Sequence, residues 1–173
     1  MTDMPKSPLT PSNTQVAKDA QPAAPKRSLT PRRRAREYAL QGVYQSLVMR
    51  RAGSLPNSAA IAKQLAEDPA FRRCQLELFQ GIFEGVLNRS DELEAIITPA
   101  LDRPINELSP VEHAALLIGT YELAADLSVP YKVAINEAVE LAKTFGGTDG
   151  HKYVNGVLDL LAQKLRHAET QAN

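Results

Sequence analysis

The sequence has 173 residues, a length that favours one globular domain with a tail. Its 20 basic and 20 acidic residues cancel, which excludes an overall field drawing the whole chain to nucleic acid or an anionic membrane. The single cysteine excludes a disulfide framework and a cysteine-rich zinc site. No apolar run is long enough for a membrane span or typical of a secretion signal, so we expect a cytoplasmic protein with no membrane partner.

The charges are unevenly distributed along the chain. Residues 1–31 carry a net charge of +2, residues 32–51 of +5, residues 52–128 of −7, and residues 129–173 of zero. A basic element followed by an acidic middle is typical of a protein with two surfaces for two kinds of partner. Blocks of solvated surface charge give the same pattern, so both interpretations stay open.

Residues 1–31 are predicted to be a disordered N-terminal tail. They contain six of the twelve prolines and no aromatic residue, so they cannot bury enough apolar surface to offset the entropy lost on ordering. Residues 32–168 are predicted to form the globular domain, and residues 169–173 a disordered C-terminal end.

About seven amphipathic helices follow the tail, and almost nothing has the pattern of a β-strand. Apolar residues recur at helical spacing, and caps or breakers mark most of the ends. The clearest start signal combines a serine cap at Ser109, proline at Pro110 and glutamate at Glu112. The predicted helices span residues 32–51, 57–67, 69–88, 90–97, 110–127, 130–145 and 149–166. Short connections between such helices predict an all-α compact bundle.

Few residues are candidates for catalysis. His113, His151 and His167 are far apart in the sequence and lack metal-binding spacing. His151 could pair with Asp149, but the position of Asp149 at a predicted helix start explains the aspartate as a cap. The sequence therefore predicts no catalytic residue, no metal and no cofactor.

Four arginines stand at the start of the first predicted helix, namely Arg32, Arg33, Arg34 and Arg36. They oppose the positive end of the helix dipole, where acidic residues would stabilise the helix better. Guanidinium groups form forked hydrogen bonds with phosphate oxygens, so phosphate binding explains this placement. A solvated basic stretch is the alternative.

The same flank of this helix carries an amide and an aromatic ring. On a helical wheel Arg33 and Tyr44 lie within about 20° of each other, while Gln41 is about 60° from Tyr44 and Arg36 about 60° from Arg33. Proteins that bind single-stranded RNA combine such groups, because an unstacked base needs a ring to stack on. A position for Tyr44 at the rim of the core is an equally good interpretation.

Two blocks of sequence resemble the NusB family of bacterial transcription antitermination factors. The first block consists of Arg32 to Glu37 followed by Ala39, Gln41 and Tyr44. The second consists of Tyr121 to Leu123, Val129 to Lys143, Phe145-Gly146 and His151 to Asp159. The match extends in order and spacing over residues 32–51 and 109–166. It includes the polar positions Asn136, Glu137 and Asn155, which amphipathic periodicity does not explain.

The resemblance implies more than periodicity can. It implies a NusB-like bundle of two small helical subbundles, and an RNA-binding protein that is not an enzyme. The expected function is transcription antitermination, in which the protein and the ribosomal protein NusE bind single-stranded boxA RNA of nascent transcripts. This complex joins other Nus factors on the transcription elongation complex and promotes processive transcription of ribosomal RNA operons. Dimerisation varies within the family, so a homodimer is a further expectation.

Matched positions give the expected site residues. The RNA-binding residues implied by the resemblance are Arg33, Arg36, Gln41 and Tyr44 on the first helix, and Asp149, Lys152 and Tyr153 at the start of the last. Family members often have phenylalanine where Tyr153 stands, which keeps a stacking ring. Asp149 would accept hydrogen bonds from a base edge or cap its helix. Glu112 matches a glutamate of the NusE surface, although its capping role is an adequate explanation.

The chain departs from the family at the tail, which is longer than usual, and at residues 52–75, which show no clear match.

Three other interpretations of the sequence stay open. An RNA-binding domain of a ribosomal RNA methyltransferase would need a second, cofactor-binding domain, for which no residues remain. A protein-only scaffold would show no RNA dependence on Arg33 or Arg36. An unrecognised enzyme would need a pocket with a perturbed acid or base.

Overall fold

A computed structural model describes residues 29–172 and contains no β-strand within them. Its eight α-helices are α1 (Pro31–Arg51), α2 (Ser58–Leu65), α3 (Leu76–Asn88), α4 (Ser90–Ile97), α5 (Pro110–Ala125), α6 (Tyr131–Phe145), α7 (Gly150–Leu165) and α8 (His167–Gln171). Short 3₁₀ turns lie at Pro69–Arg73, Thr98–Ala100 and Ile105–Glu107. The predicted all-α fold is confirmed. Within the described range, no helix is both long enough and apolar enough to cross a lipid bilayer.

Helix α1 packs against two groups of helices. On one side it contacts α2 and α3, and α3 leads directly into α4. On the other it contacts α5 and α6, which pack against each other and against α7. Helix α5 is buried without interruption from His113 to Thr120, since both groups pack against it. Two small bundles therefore share α1 and α5, as the family resemblance implies.

The start of α1 is fixed by a cap that the sequence analysis missed. The backbone N–H of Arg33 donates to the hydroxyl oxygen of Thr30 at 3.1 Å, and Pro31 occupies the first turn. Threonine accepts such a bond well, and proline lacks only an N–H that would be unsatisfied there anyway. Residues 1–28 of the predicted disordered tail lie outside the described residues, so that disorder stays a prediction.

The third helix is shorter than predicted. Pro69–Arg73 form a 3₁₀ turn, Cys74 has an extended backbone, and α3 begins only at Leu76. At the break, the backbone N–H of Gln75 donates to the carbonyl oxygen of Pro31 at 2.9 Å. This bond joins the approach to α3 to the start of α1. A contact between distant segments cannot be read from helical periodicity.

The C-terminal end is helical where the sequence analysis predicts disorder from residue 169. Helix α8 reaches Gln171, and Glu169 ties it to the bundle. The Glu169 carboxylate accepts from Arg166 Nη1 at 2.7 Å and from the backbone N–H of Tyr131 at 2.9 Å. The polar composition of this segment concealed these two specific bonds.

Arg166 also caps the C-terminal end of α5. It is buried, and its guanidinium donates to the backbone carbonyl oxygens of Glu122, Leu123 and Asp126 at distances from 2.7 to 3.1 Å. The last carbonyls of a helix lack partners within the helix. A side chain at the end of α7 supplies those partners here, which fixes α5 and α7 relative to each other.

Candidate nucleic-acid interface

Arg36 lies inside the bundle and not on its surface. Its side chain is 3% exposed, and Nε and Nη2 donate to the carboxylate of Glu122 on α5 at distances from 2.8 to 3.1 Å. Glu122 is 1% exposed, and burial raises the pKa of its carboxyl group while Arg36 acts in the opposite direction. The structure therefore corrects the prediction that Arg36 binds RNA. Its guanidinium joins α1 to α5, and no phosphate can reach it while the pair is intact.

Arg33 lies at the surface between α1 and α6. Its Nε donates to Glu137 Oε2 at 3.2 Å, and its Nη2 donates to Glu137 Oε1 at 3.1 Å. More than a third of the side chain remains exposed, and the hydrogen bond with Glu137 raises the Arg33 pKa. Arg33 is accessible to a phosphate, but Glu137 competes for the same donors.

Gln41 and Tyr44 line a cavity of about 370 Å³ between α1, the start of α5 and the end of α6. The other lining residues are Leu40, Gln45, Val111 and Phe145. Tyr44 is 40% exposed and Phe145 37% exposed, so each presents part of its ring to solvent. Rings and amides around one cavity are the groups that an unstacked nucleobase requires.

Phe145 is a candidate contact that the sequence analysis did not identify. It is the last residue of α6, and in the sequence it is only the final apolar residue of that helix. Only the packing of α6 beside α1 brings it to the cavity that Tyr44 also lines. The signal available in the sequence was an aromatic residue directly before Gly146-Gly147, which is weak by itself.

Asp149 and Lys152 stand at the start of α7. Asp149 precedes the helix, but its side chain makes no capping hydrogen bond, so the predicted cap is wrong. Its carboxylate lies 3.3 Å from Lys152 Nζ, and about three quarters of each side chain is exposed. Exposed pairs of this kind contribute little stability, so both groups are open to a ligand.

Tyr153, on the same turn of α7, contacts the loop after the Thr98–Ala100 turn. Its hydroxyl donates to Asp102 Oδ1 at 2.8 Å, and burial raises the pKa of that hydroxyl. The guanidinium carbon of Arg103 lies 4.4 Å from the centre of the Tyr153 ring. One neighbour of the predicted stacking ring is therefore a cation of this chain. Neither Asp102 nor Arg103 was predicted from the sequence to belong to the site.

Glu112 forms the predicted capping box with Ser109. The Ser109 N–H donates to Glu112 Oε2 at 3.0 Å, and the Glu112 N–H donates to Ser109 Oγ at 3.2 Å. Gly150 of α7 lies against this carboxylate, because a Cβ atom there would be 2.8 Å from Glu112 Oε1. The start of α7 thus meets the start of α5, next to Val111 of the cavity. A contact between Glu112 and NusE stays a prediction.

His113 is part of a partly buried polar cluster. Its Nε2 lies 3.0 Å from Glu94 Oε1 and its Nδ1 lies 3.3 Å from Arg51 Nη2. Burial lowers the His113 pKa, and the nearby arginines act in the same direction while Glu94 opposes them. Across residues 29–172, no three His, Cys, Asp or Glu side chains are grouped so that they could hold a metal ion.

Comparison with known proteins agrees with this architecture. The chain matches the model of the NusB family over residues 33–163. A transcription antitermination protein NusB from Burkholderia lata is 54% identical over 141 residues, which cover 82% of this chain and 94% of the relative. Its counterpart from Methylobacillus flagellatus is 48% identical over 153 residues, which cover 88% and 96%. A solved structure of antitermination factors NusB and NusE in complex with dsRNA contains a chain with the same fold. Its TM-score is 0.67 at 24% identity, and the match covers 78% of this chain and 97% of that one. The chain belongs to the NusB family.

Proposed function

We propose that this protein binds single-stranded RNA along one continuous surface. The surface runs from the flank of α1 that faces α6, across the start of α5, to the start of α7. The cavity shared by Tyr44 and Phe145 carries the proposal, because two partly exposed rings beside the amides of Gln41 and Gln45 suit an unpaired base. Arg33 would contact phosphate at one end of this surface.

Lys152 would contact phosphate at the other end, and Asp149 would accept a hydrogen bond from a base edge. Asp149 is free of a capping role and largely exposed, which supports this assignment. Tyr153 would stack through the part of its ring that its neighbours leave open. Arg36 has no part in the proposed contacts, since its guanidinium is buried against Glu122.

The function we propose is transcription antitermination on boxA RNA of nascent transcripts, together with ribosomal protein NusE. Ribosomal RNA operons would be the main targets, in an elongation complex with other Nus factors. Membership of the NusB family and the names of the curated relatives support antitermination. A fold shared with a chain from a structure described as NusB and NusE with dsRNA supports RNA and NusE as partners. The net charge of −7 over residues 52–128 suits a basic partner protein.

An RNA mobility shift tests this function. The full chain is titrated, with and without NusE, against a boxA-containing RNA and a scrambled RNA of the same length at fixed salt. We expect the boxA RNA to bind more tightly than the scrambled RNA when NusE is present. The affinity of the chain alone should be modest and should fall with added salt, because only a few phosphate contacts are available. Equal binding of both RNAs in the presence of NusE would contradict the specific function.

A duplex of the same boxA sequence tests the cavity. A paired and stacked base cannot enter a cavity lined by two side-chain rings, so the single strand should bind more tightly than the duplex. If the duplex binds as tightly, the cavity holds no base and the surface recognises only the phosphate backbone.

A further inference from the structure

Asp102, Arg103 and Tyr153 form a compact polar corner, which we name the Tyr153 corner. Two donors converge on Asp102 Oδ1, namely the Tyr153 hydroxyl at 2.8 Å and Arg103 Nε at 2.8 Å. The Arg103 guanidinium carbon lies 4.4 Å from the centre of the Tyr153 ring. Cation–π contact and hydrogen bonding both orient this guanidinium, although it lies on a loop.

The guanidinium in this corner is still open to a ligand. The Arg103 side chain is 44% exposed, and that of Asp102 is more exposed still. The contact between Arg103 Nη2 and Asp102 Oδ2 is long, at 3.5 Å, and the hydrogen bonds of Arg103 with residues 29–172 use only Nε and Nη2. Several of the five guanidinium N–H groups therefore face solvent, in a fork that matches two phosphate oxygens.

The position of the corner places this cation at the surface proposed above. Tyr153 belongs to the same first turn of α7 as Lys152, and Asp149 immediately precedes that turn. The Glu112 carboxylate is close enough to act electrostatically on Arg103, and it also lies against Gly150 of α7. The corner therefore lies beside the starts of α5 and α7, where the proposed RNA path ends.

We propose that Arg103 is a phosphate-binding residue of the RNA surface, held by the Tyr153 ring and released by Asp102 when an RNA phosphate takes the place of that carboxylate. This inference rests on the proposed function, because it assumes that RNA reaches the start of α7. A phosphate accepts the same forked bonds as a carboxylate, so the exchange keeps the number of hydrogen bonds on Arg103. Asp102 keeps its bond from the Tyr153 hydroxyl.

Salt dependence of RNA affinity tests the role of Arg103. The logarithm of the binding constant falls with the logarithm of the salt concentration, and each phosphate contact with a single strand makes this slope steeper by about 0.7. Arg103→Gln should therefore make this slope shallower by about 0.7. It should also weaken binding about tenfold, as expected for one charge-assisted contact, and equally for boxA and scrambled RNA.

Arg89→Gln is the matched control. Arg89 is another partly exposed arginine paired with a neighbouring carboxylate, since it donates to Glu92 at 2.7 and 2.9 Å. It lies at the α3–α4 junction, away from the proposed RNA surface, and its substitution should leave the slope unchanged. An unchanged slope for Arg103→Gln, in a chain that melts at the wild-type temperature, would overturn the inference.

Asp102→Asn tests whether an RNA phosphate replaces the Asp102 carboxylate at Arg103 or is only attracted by the charge of Arg103. The amide still accepts the Tyr153 hydroxyl but no longer holds the charge of Arg103, so RNA binding should strengthen about threefold, since an exposed pair contributes little. Weaker binding by this variant would overturn the exchange. If the wild-type chain binds no RNA at all, the proposed function is wrong as well. Equal boxA and scrambled affinities with a slope change in Arg103→Gln would remove only the specificity.

Discussion

The two halves of the proposed RNA surface use their positive charges differently. On α1, Arg36 is buried in an internal ion pair and Arg33 is tied to α6, while Tyr44 offers an exposed ring. At the start of α7, Lys152 is largely exposed and Arg103 has free donors facing solvent. The half that is richest in arginine in the sequence therefore offers rings and amides for bases. The half that is poorer in charge nevertheless offers two accessible cations, Lys152 and Arg103.

This difference shows that a basic run in a sequence does not measure the number of accessible cations. Arginine is well suited to buried ion pairs as well as to phosphate, and the sequence does not distinguish the two uses. Arg33, Lys152 and Arg103 each have a carboxylate neighbour, so RNA must compete with the protein's own acids at these positions. Modest affinity without a partner protein is the expected result.

The largest effect should come from Arg36→Ala. Removing one member of a buried pair leaves the other charge uncompensated, so the free energy of unfolding should fall by about 3–5 kcal/mol. Urea denaturation followed by circular dichroism measures this change. The double variant Arg36→Met with Glu122→Leu should recover most of the loss. An Arg36→Ala chain of wild-type stability that fails to bind RNA would place Arg36 in the interface after all.

A smaller effect is expected for Tyr44→Ala. Loss of one base-stacking ring should weaken RNA binding by about 1–3 kcal/mol, while Tyr44→Phe should bind nearly as the wild type does. The slope of affinity against salt should not change, because no charge is removed. Leu160→Ala, at an exposed apolar position on α7, is the control. A change of slope with Tyr44→Ala would contradict a base contact.

Arg33→Ala should weaken RNA binding by about 1–2 kcal/mol, in the range of a charge-assisted contact. Its pair with Glu137 is partly exposed, so the loss of folding stability should stay below about 1 kcal/mol. Fluorescence anisotropy with labelled RNA and thermal melting measure the two quantities. Marked unfolding with unchanged RNA affinity would make Arg33 structural, like Arg36.

The smallest effect is expected for Glu137→Gln, and its sign is informative. Removing the carboxylate that competes for Arg33 should strengthen RNA binding by about 0.5 kcal/mol, a typical value for an exposed pair. The same titration in the Arg33→Ala background should show no gain. Weaker binding by Glu137→Gln would mean that Glu137 orients Arg33 instead of competing for it.

Features set by local sequence were predictable. The apolar residues that recur at helical spacing on α1 are buried, and Ser109 and Glu112 form the predicted capping box. The helical wheel also placed Arg33 and Tyr44 on one flank, and that flank faces α6. Membership of the NusB family is confirmed.

Features set by contacts between distant segments were not predictable. The partner of Arg36 lies 86 residues away on another helix, so a wheel drawn for α1 alone cannot show it. Arg103 is a candidate RNA contact only because Tyr153 of α7 packs against its loop. The individual RNA contacts, the cytoplasmic location, the homodimer and the disorder of residues 1–28 stay predictions.

The buried pair of Arg36 and Glu122 also constrains how this chain can evolve. A single substitution at either position leaves a buried charge without a counter-ion, so an apolar replacement is accessible only through a costly intermediate. The two positions are thus expected to be inherited as one unit, whatever happens to the RNA target. An arginine kept at position 36 in a descendant would report that the helices still pack in this way, and would carry no information about whether RNA is still bound.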